Sequence, residues 1–268
     1  MLRKILFWCI ATWLTTAAPV RAFQPEPAML RRLFEEALKR RTQEFGRNDS
    51  HTAQASRDLG LFLQRNGDTA GARRVLTDTV AIDEAVFGKS AAQTLEDVSA
   101  LAAISPPAMA APLLLRAADS PDASVAGPAL SSLADLRTAG GDRPGAAVFL
   151  RRALDKAEAV DGKDGTIVAL LLNSLALDVE PKEGAAYLER ALQIDRAQLG
   201  DRDPNTILTE VNLSKLWFAI GRRDDALAMA RTALASAQAT FGPNDLRAQK
   251  IARELAALER PVSAPPRK

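Results

Sequence analysis

The chain has 268 residues, 47% hydrophobic and 25% charged, and its 35 Lys and Arg against 33 Asp and Glu give a formal charge of +2. This composition excludes a disordered chain, a small disulfide-stapled fold and, on charge, any global affinity for nucleic acid. One His and one Cys also exclude most nucleophilic triads and most zinc sites built from protein ligands alone.

Residues 1–22 have the pattern of a cleaved secretory signal peptide. A basic start is followed by an apolar run of about 14 residues, and Val20-Arg21-Ala22 places small residues where signal peptidase reads them. The run is shorter than the roughly 20 residues of a membrane-spanning helix, so an uncleaved anchor is the less favoured alternative. Cleavage after Ala22 leaves 32 Lys and Arg against 33 Asp and Glu and removes Cys9, the only cysteine. The mature chain is then near neutral and suits an oxidising compartment without disulfides.

From residue 27 onward the sequence repeats with a period close to 40 residues. A small residue followed by an aliphatic or small one recurs, and in five of six occurrences a glycine comes eight residues later. The second members of these pairs are Leu38, Val80, Ala118, Leu154, Leu192 and Leu234. Such self-similarity is typical of a repeat architecture.

A second series, a leucine followed by a small residue, alternates with the first. We call its leucines the marker leucines: Leu59, Leu101, Leu133, Leu175, Leu213 and Leu255. Apolar residues at spacings of three, four and seven predict that both series lie on helices, separated by turns rich in Gly, Asn, Asp and Pro. Helix A carries the marker leucine and helix B the other pair. From the small residue of helix A to that of helix B, the second and fourth units span 15 residues and the others 19, and we assign this loss of four residues to the connecting turn.

These residues resemble the tetratricopeptide repeat family in its long-helix, 42-residue form typified by kinesin light chain. The fifth unit matches the family pattern of a Leu-small pair in helix A, a turn glycine and two small residues in helix B. The matching residues are Leu213, Ser214, Gly221, Ala226 and Ala233. The resemblance covers about residues 27–259 and implies an all-α, right-handed superhelical solenoid of stacked antiparallel helix hairpins.

The expected organisation follows from this alternation of helices. A single helix B at 27–45 precedes five A/B pairs, and a closing helix A lies at about 244–259, within a solenoid domain of residues 23–260. We expect residues 261–268 to form a flexible tail. Five prolines between residues 106 and 128 predict a bend or loop in the second unit.

Motifs that suggest chemistry have simpler structural interpretations. Gly88-Lys89-Ser90 resembles the end of a phosphate-binding loop, but Asp83 replaces the required glycine and the preceding segment is helical. His51 lacks a second His or a Cys, so it has neither metal partners nor a nucleophile to serve. Adjacent acidic residues point in different directions on a helix and form no paired catalytic carboxylates. We therefore expect no enzyme activity, cofactor, metal or nucleic-acid partner.

The resemblance implies that a peptide or partner helix binds in the concave groove, to residues of helix A near the marker leucines. The candidate residues are Arg57, Asp58, Ser132, Asp135, Asn173, Asn212, Lys215 and Phe218. Amide and hydroxyl groups in this set can bond a peptide backbone while the charges select its sequence. The alternative is that they are simply exposed helix residues.

The sequence thus predicts an exported, non-enzymatic protein-interaction scaffold that is periplasmic or secreted, without a membrane span in the mature chain. Two alternatives stay open. The solenoid could be a regulatory or recruiting subunit of an enzyme or envelope assembly complex, or it could associate with itself as a homo-oligomer through its terminal helices.

Overall fold

The computed structural model describes residues 26–260, which form twelve α-helices and no β-strand. The helices are α1 (Pro27–Phe45), α2 (Ser50–Arg65), α3 (Thr69–Phe87), α4 (Ala92–Ala103), α5 (Pro107–Ala118), α6 (Ala123–Ala139), α7 (Arg143–Asp161), α8 (Thr166–Leu177), α9 (Pro181–Gln198), α10 (Pro204–Ala219), α11 (Arg223–Phe241) and α12 (Leu246–Glu259). The expected signal peptide and tail, residues 1–22 and 261–268, lie outside the described residues.

Each helix packs mainly against the helices before and after it in the chain. The pairs α2/α3, α4/α5, α6/α7, α8/α9 and α10/α11 are helix hairpins, flanked by the single helices α1 and α12. This is an α-solenoid of stacked hairpins, so the predicted fold class is confirmed. No helix within residues 26–260 has the length and apolar character needed to cross a lipid bilayer.

Glycines end the helices at the places that the repeat requires. Every residue with a positive φ in the described part of the chain is a glycine. Gly88, which has a φ of 89° and directly follows α3, is one example. Its carbonyl oxygen accepts a hydrogen bond from the hydroxyl of Thr94 at 2.9 Å, which fixes the start of the next helix A. The same bond joins Thr52 to Gly46 and Thr206 to Gly200.

The shortening of the second and fourth units lies in helix A, not in the connecting turn as the sequence suggested. All five A-to-B connections are three residues long, whereas α4 and α8 have 12 residues against 16 in α2 and α10. Four residues are close to one helical turn, so removing them from the end of the helix leaves its buried face in phase.

The proline-rich segment is more regular than predicted. Pro107 occupies the first turn of α5, where a missing N–H costs nothing, and Pro121 lies in the connection to α6. Pro112 and Pro128 lie inside α5 and α6 without ending either helix. Helix α5 instead ends at Ala118, seven residues earlier in the repeat than α3. Ala118 therefore lies 15 residues before its marker leucine, Leu133, whereas the other five pairs end 21 residues before theirs.

Small residues allow the helices of each hairpin to approach closely. Ala72, Ala146 and Ala226, at equivalent positions of three B helices, are fully buried. A Cβ added to Gly60 would come within 2.8 Å of the fully buried Leu76 side chain. The layer of A helices is thereby held at a fixed distance from the layer of B helices, and it leaves one of its faces free.

Candidate binding groove

Four positions on each helix A, counted from its marker leucine, form one face of the solenoid. They lie eight, five and one residues before the leucine and two residues after it, and on α8, α10 and α12 they line cavities between successive A helices. We call the residues at these positions on α2, α4, α6, α8, α10 and α12 the inner-face residues. The surface that they form is the candidate groove.

Two cavities follow one another along this face, one of about 300 Å³ between α8 and α10 and one of about 390 Å³ between α10 and α12. Another cavity, of about 450 Å³, lies between α6, α7 and α8, and its lining includes Pro128 and Ile167 of the inner face. Asn205, Leu208 and Asn212 line both the cavity between α8 and α10 and the cavity between α10 and α12, so these two cavities are adjacent. A separate cavity of about 770 Å³ lies where α7 and α9 begin and α8 ends, at the edge of the solenoid.

The centre of the groove is apolar and open. Ile167, Leu170 and Leu177 on α8 and Leu208 on α10 are 49 to 53% exposed. Two of these four, Leu170 and Leu208, lie five residues before their marker leucines, so they occupy equivalent places on neighbouring helices. Contiguous exposed aliphatic side chains of this kind are typical of a surface that binds another protein.

Charged groups flank this apolar centre with opposite signs. On α2, α4 and α6 the charged inner-face residues are Asp58, Glu96 and Asp135, all acidic. On α10 and α12 they are Lys215, Arg247, Lys250 and Glu254, three cations and one acid. Lys215 donates to Glu254 at 3.0 Å, and the guanidinium of Arg247 lies over the Phe241 ring. The groove therefore changes from acidic to basic along the solenoid axis.

Beneath the groove, a buried ionic cluster joins the first two units. The guanidinium of Arg57 on α2 donates to Asp97 on α4 at 2.6 and 2.7 Å and to Asp83 on α3 at 3.2 Å. Asp83 has no exposed side-chain surface, and its Oδ1 has no hydrogen-bond partner among the described residues. Burial and the neighbouring Asp97 carboxylate raise the pKa of Asp83 to about 7 against the opposing effect of Arg57.

The same three positions form a second cluster between the fourth and fifth units. Asn173 on α8 donates to the hydroxyl of Thr209 on α10, which in turn donates to Asp195 on α9 at 2.7 Å. Asn173 and Asn212 also bond to each other across the two A helices at 2.8 Å. Burial raises the pKa of Asp195 above its ordinary value, opposed by the Thr209 hydrogen bond. The two clusters fix the relative position of successive A helices.

The structure divides the eight candidate residues into three groups. Asp58, Ser132, Asp135, Asn212 and Lys215 are inner-face residues, half-buried or exposed. Arg57 and Asn173 lie one position further round the helix, and their donors bond to neighbouring units. Phe218 lies at the end of α10, half-buried, with the guanidinium of Arg223 5.4 Å from its ring centre.

Sequence reasoning missed the apolar centre and the basic end of the groove. Ile167, Leu170, Leu208, Arg247 and Lys250 were not among the candidates, although they lie on the same face as those that were. The sequence does contain a signal for the apolar centre. Leu170 and Leu208 are aliphatic residues five positions before a marker leucine, a position that does not belong to the buried face of helix A. The described residues contain no group of His, Cys, Asp and Glu side chains able to hold a metal ion.

A family model described as tetratricopeptide repeat matches residues 211–246, which span most of α10, all of α11 and the start of α12. Among curated proteins, none matches this sequence. The recognised repeat therefore covers the fifth unit, where the sequence pattern is most complete.

Solved structures with the same fold cover most of the chain. A structure described as kinesin light chain TPR-like repeats from Podosopora anserina has 19% identity and a TM-score of 0.58, covering 70% of this chain and 95% of its own. The C-terminal part of a TPR repeat-containing protein from Cytophaga hutchinsonii has 11% identity and a TM-score of 0.53, covering 84% and 87%.

A third structure, described as the assembly chaperone of RpL4, has 14% identity and a TM-score of 0.52, covering 87% of this chain and 96% of its own. At these identities the likeness concerns the fold alone. The chain thus has the fold of a tetratricopeptide-like α-solenoid, with a recognisable tetratricopeptide repeat at residues 211–246.

Proposed function

We propose that this protein is a non-enzymatic scaffold that binds a segment of a partner protein in the groove formed by its inner-face residues. The observation that carries this proposal is the row of half-exposed aliphatic side chains on α8 and α10, beside two adjacent cavities. Scaffolds of stacked helix hairpins present extended concave surfaces for such partners. Buried polar clusters between α2 and α4 and between α8 and α10 hold these A helices at a fixed spacing, which keeps the groove preformed.

The proposal includes export from the cytoplasm. Residues 1–22 would be removed as a signal peptide, and the mature protein would act in the periplasm or as a secreted protein. An uncleaved membrane anchor formed by residues 1–22 is the less favoured alternative. The mass of the protein purified from its native host measures this directly. A chain that begins at Phe23 supports export, whereas an intact Met1 in the cytoplasmic fraction contradicts it.

A matched pair of substitutions tests the groove. Leu208 on α10 and Val148 on α7 are 53% and 55% exposed, but only Leu208 lines the groove cavities. We expect Leu208→Asp to reduce capture of the native partner at least tenfold, because a carboxylate replaces an apolar contact, and Val148→Asp to leave it within twofold. Circular dichroism checks that both variants fold. Equal effects of the two substitutions would refute binding in the groove.

A further inference from the structure

The charges of the groove define the kind of segment that fits it, provided that the groove is the binding site proposed above. Toward the N-terminal end the charged inner-face residues, Asp58, Glu96 and Asp135, are all acidic, whereas toward the C-terminal end three of the four are cations. Glu96 and Asp135 are exposed, as are Lys215, Arg247 and Lys250. The aliphatic centre on α8 and α10 separates the two regions.

Internal ion pairs leave this polarity intact. Arg57, the cation nearest to the acidic end, is bound by Asp97 at 2.6 and 2.7 Å and is mostly buried. At the basic end Lys215 pairs with Glu254 at 3.0 Å, and Arg247 pairs with Asp245, which precedes α12, at 2.9 Å. Lys250 forms no ion pair among the described residues, so its full charge faces the groove.

We propose that the partner segment is itself polar along its length: basic at one end, aliphatic in the middle and acidic at the other end. Its basic end binds over α4 and α6, its aliphatic residues fill the cavities beside Leu170 and Leu208, and its acidic end binds Lys250 and Arg247. Complementary charges of this kind select the partner and fix its direction more than they raise its affinity. The segment runs across the A helices, from unit to unit.

The spacing of the helices sets the length of this segment. Three helix-to-helix steps separate Asp135 on α6 from Lys250 on α12, which amounts to roughly 30 Å at about 8 to 10 Å a step. An extended chain covers that distance with about nine residues. Asn205, which is exposed, lines the two adjacent cavities beside Leu208 and presents its amide group to the backbone of an extended chain.

Three synthetic peptides of eleven residues test the inference by fluorescence anisotropy. All carry two central leucines; the first has two lysines at one end and two glutamates at the other, the second has lysines at both ends, and the third has glutamates at both ends. We expect the mature wild-type protein to bind the first peptide at least fivefold more tightly than either of the others. The preference should weaken at high salt because exposed charges are screened.

Reversing one charge of the groove provides the decisive comparison. In Lys250→Glu both ends of the groove are acidic, so the peptide with lysines at both ends should become the tightest of the three. Lys182→Glu makes the same charge change on the exposed surface of α9 and should leave the wild-type order unchanged. Lys250→Gln, which removes the charge without adding another, should reduce the preference without reversing it.

Equal binding of the three peptides, no binding of any of them, or an order that survives Lys250→Glu would overturn the inference. These outcomes are distinct from failure of the proposed function. If Leu208→Asp abolishes capture of the native partner while the peptides are not discriminated, the groove binds partners and only its charge selectivity is wrong. If Leu208→Asp has no effect on capture, the groove itself is wrong.

Discussion

At the scale of single residues, the acidic groups beneath the groove are the most unusual feature of the chain. Asp83 and Asp195 occupy the same position in two B helices, and burial raises the pKa of both. Asp83 faces the Arg57 guanidinium from α2 and the Asp97 carboxylate from α4. Charge on Asp83 is therefore disfavoured in the folded protein although it is easily accommodated in the unfolded chain.

The raised pKa of Asp83 predicts a pH dependence of stability with a definite sign. In the unfolded chain this carboxyl titrates near its ordinary value of 3.8, and in the folded protein near 7. Its contribution to stability is complete below about pH 4 and is lost as the pH rises to about 7. Asp83→Asn keeps the side chain neutral, so the variant should melt at least about 2 °C above wild type at pH 8 and close to it at pH 4.5.

Thermal melts at the two pH values measure this difference, and Asp78→Asn on the exposed surface of α3 is the control. The control should change the melting temperature equally little at both pH values. A lower melting temperature for Asp83→Asn at pH 8 would show that the charged form of Asp83 stabilises the cluster, contrary to our assignment.

The residues of these clusters also show what sequence could not predict. Arg57 and Asn173 each lie two residues before a marker leucine, next to an inner-face position. The helical period of 3.6 residues does not tell whether a polar side chain at that place faces solvent or the next unit. The answer depends on Asp97 and Thr209, which are contributed by the following A helices. Contacts between units are therefore a property of two repeats and not of one.

At the scale of helices, close approach between neighbours is set by single small residues. Gly184 lies in the first turn of α9, where a Cβ would overlap the carbonyl oxygen of Ala176 at the end of α8 and touch the Leu216 side chain of α10. Backbone atoms cannot yield as a flexible side chain can. Three helices therefore meet at this glycine.

Gly184→Ala should destabilise the protein by about 2 kcal/mol, although alanine is the better helix former by about 1 kcal/mol. Denaturation in urea, followed by circular dichroism, measures the effect. Ala186→Gly, at an exposed position two residues on, is the opposite exchange and should cost about 1 kcal/mol. If Gly184→Ala were stabilising, the close contact between α8 and α9 would be absent.

Most of the helical organisation could be predicted from spacing alone. The bounds of α1 coincide with the predicted 27–45, and α12 begins two residues after the predicted start and ends at the predicted residue. Spacing gives only distances along the chain, so it could not tell a shorter turn from a shorter helix in the second and fourth units. Side-chain contacts such as Arg116 with Glu84 and Arg190 with Glu158, equivalent in these two short units, likewise required the structure.

At the scale of the whole molecule, the solenoid leaves the A-helix layer open while neighbouring units bury the rest. The largest core cluster extends through the middle units, and smaller clusters lie toward both ends. In such an arrangement each unit contacts only its neighbours, so the groove can carry partner-specific side chains without disturbing the core. The core does not depend on the half-exposed leucines or on the change of charge along the groove.

The central claim is that a partner protein contacts the inner-face residues, and its most direct test is site-specific photo-crosslinking in the native host. A photoreactive amino acid replaces Leu208 in one variant and Val148, equally exposed on α7, in another. Binding in the groove predicts a crosslinked partner from position 208 and none from position 148. A partner crosslinked from position 148 but not from position 208 would contradict the account.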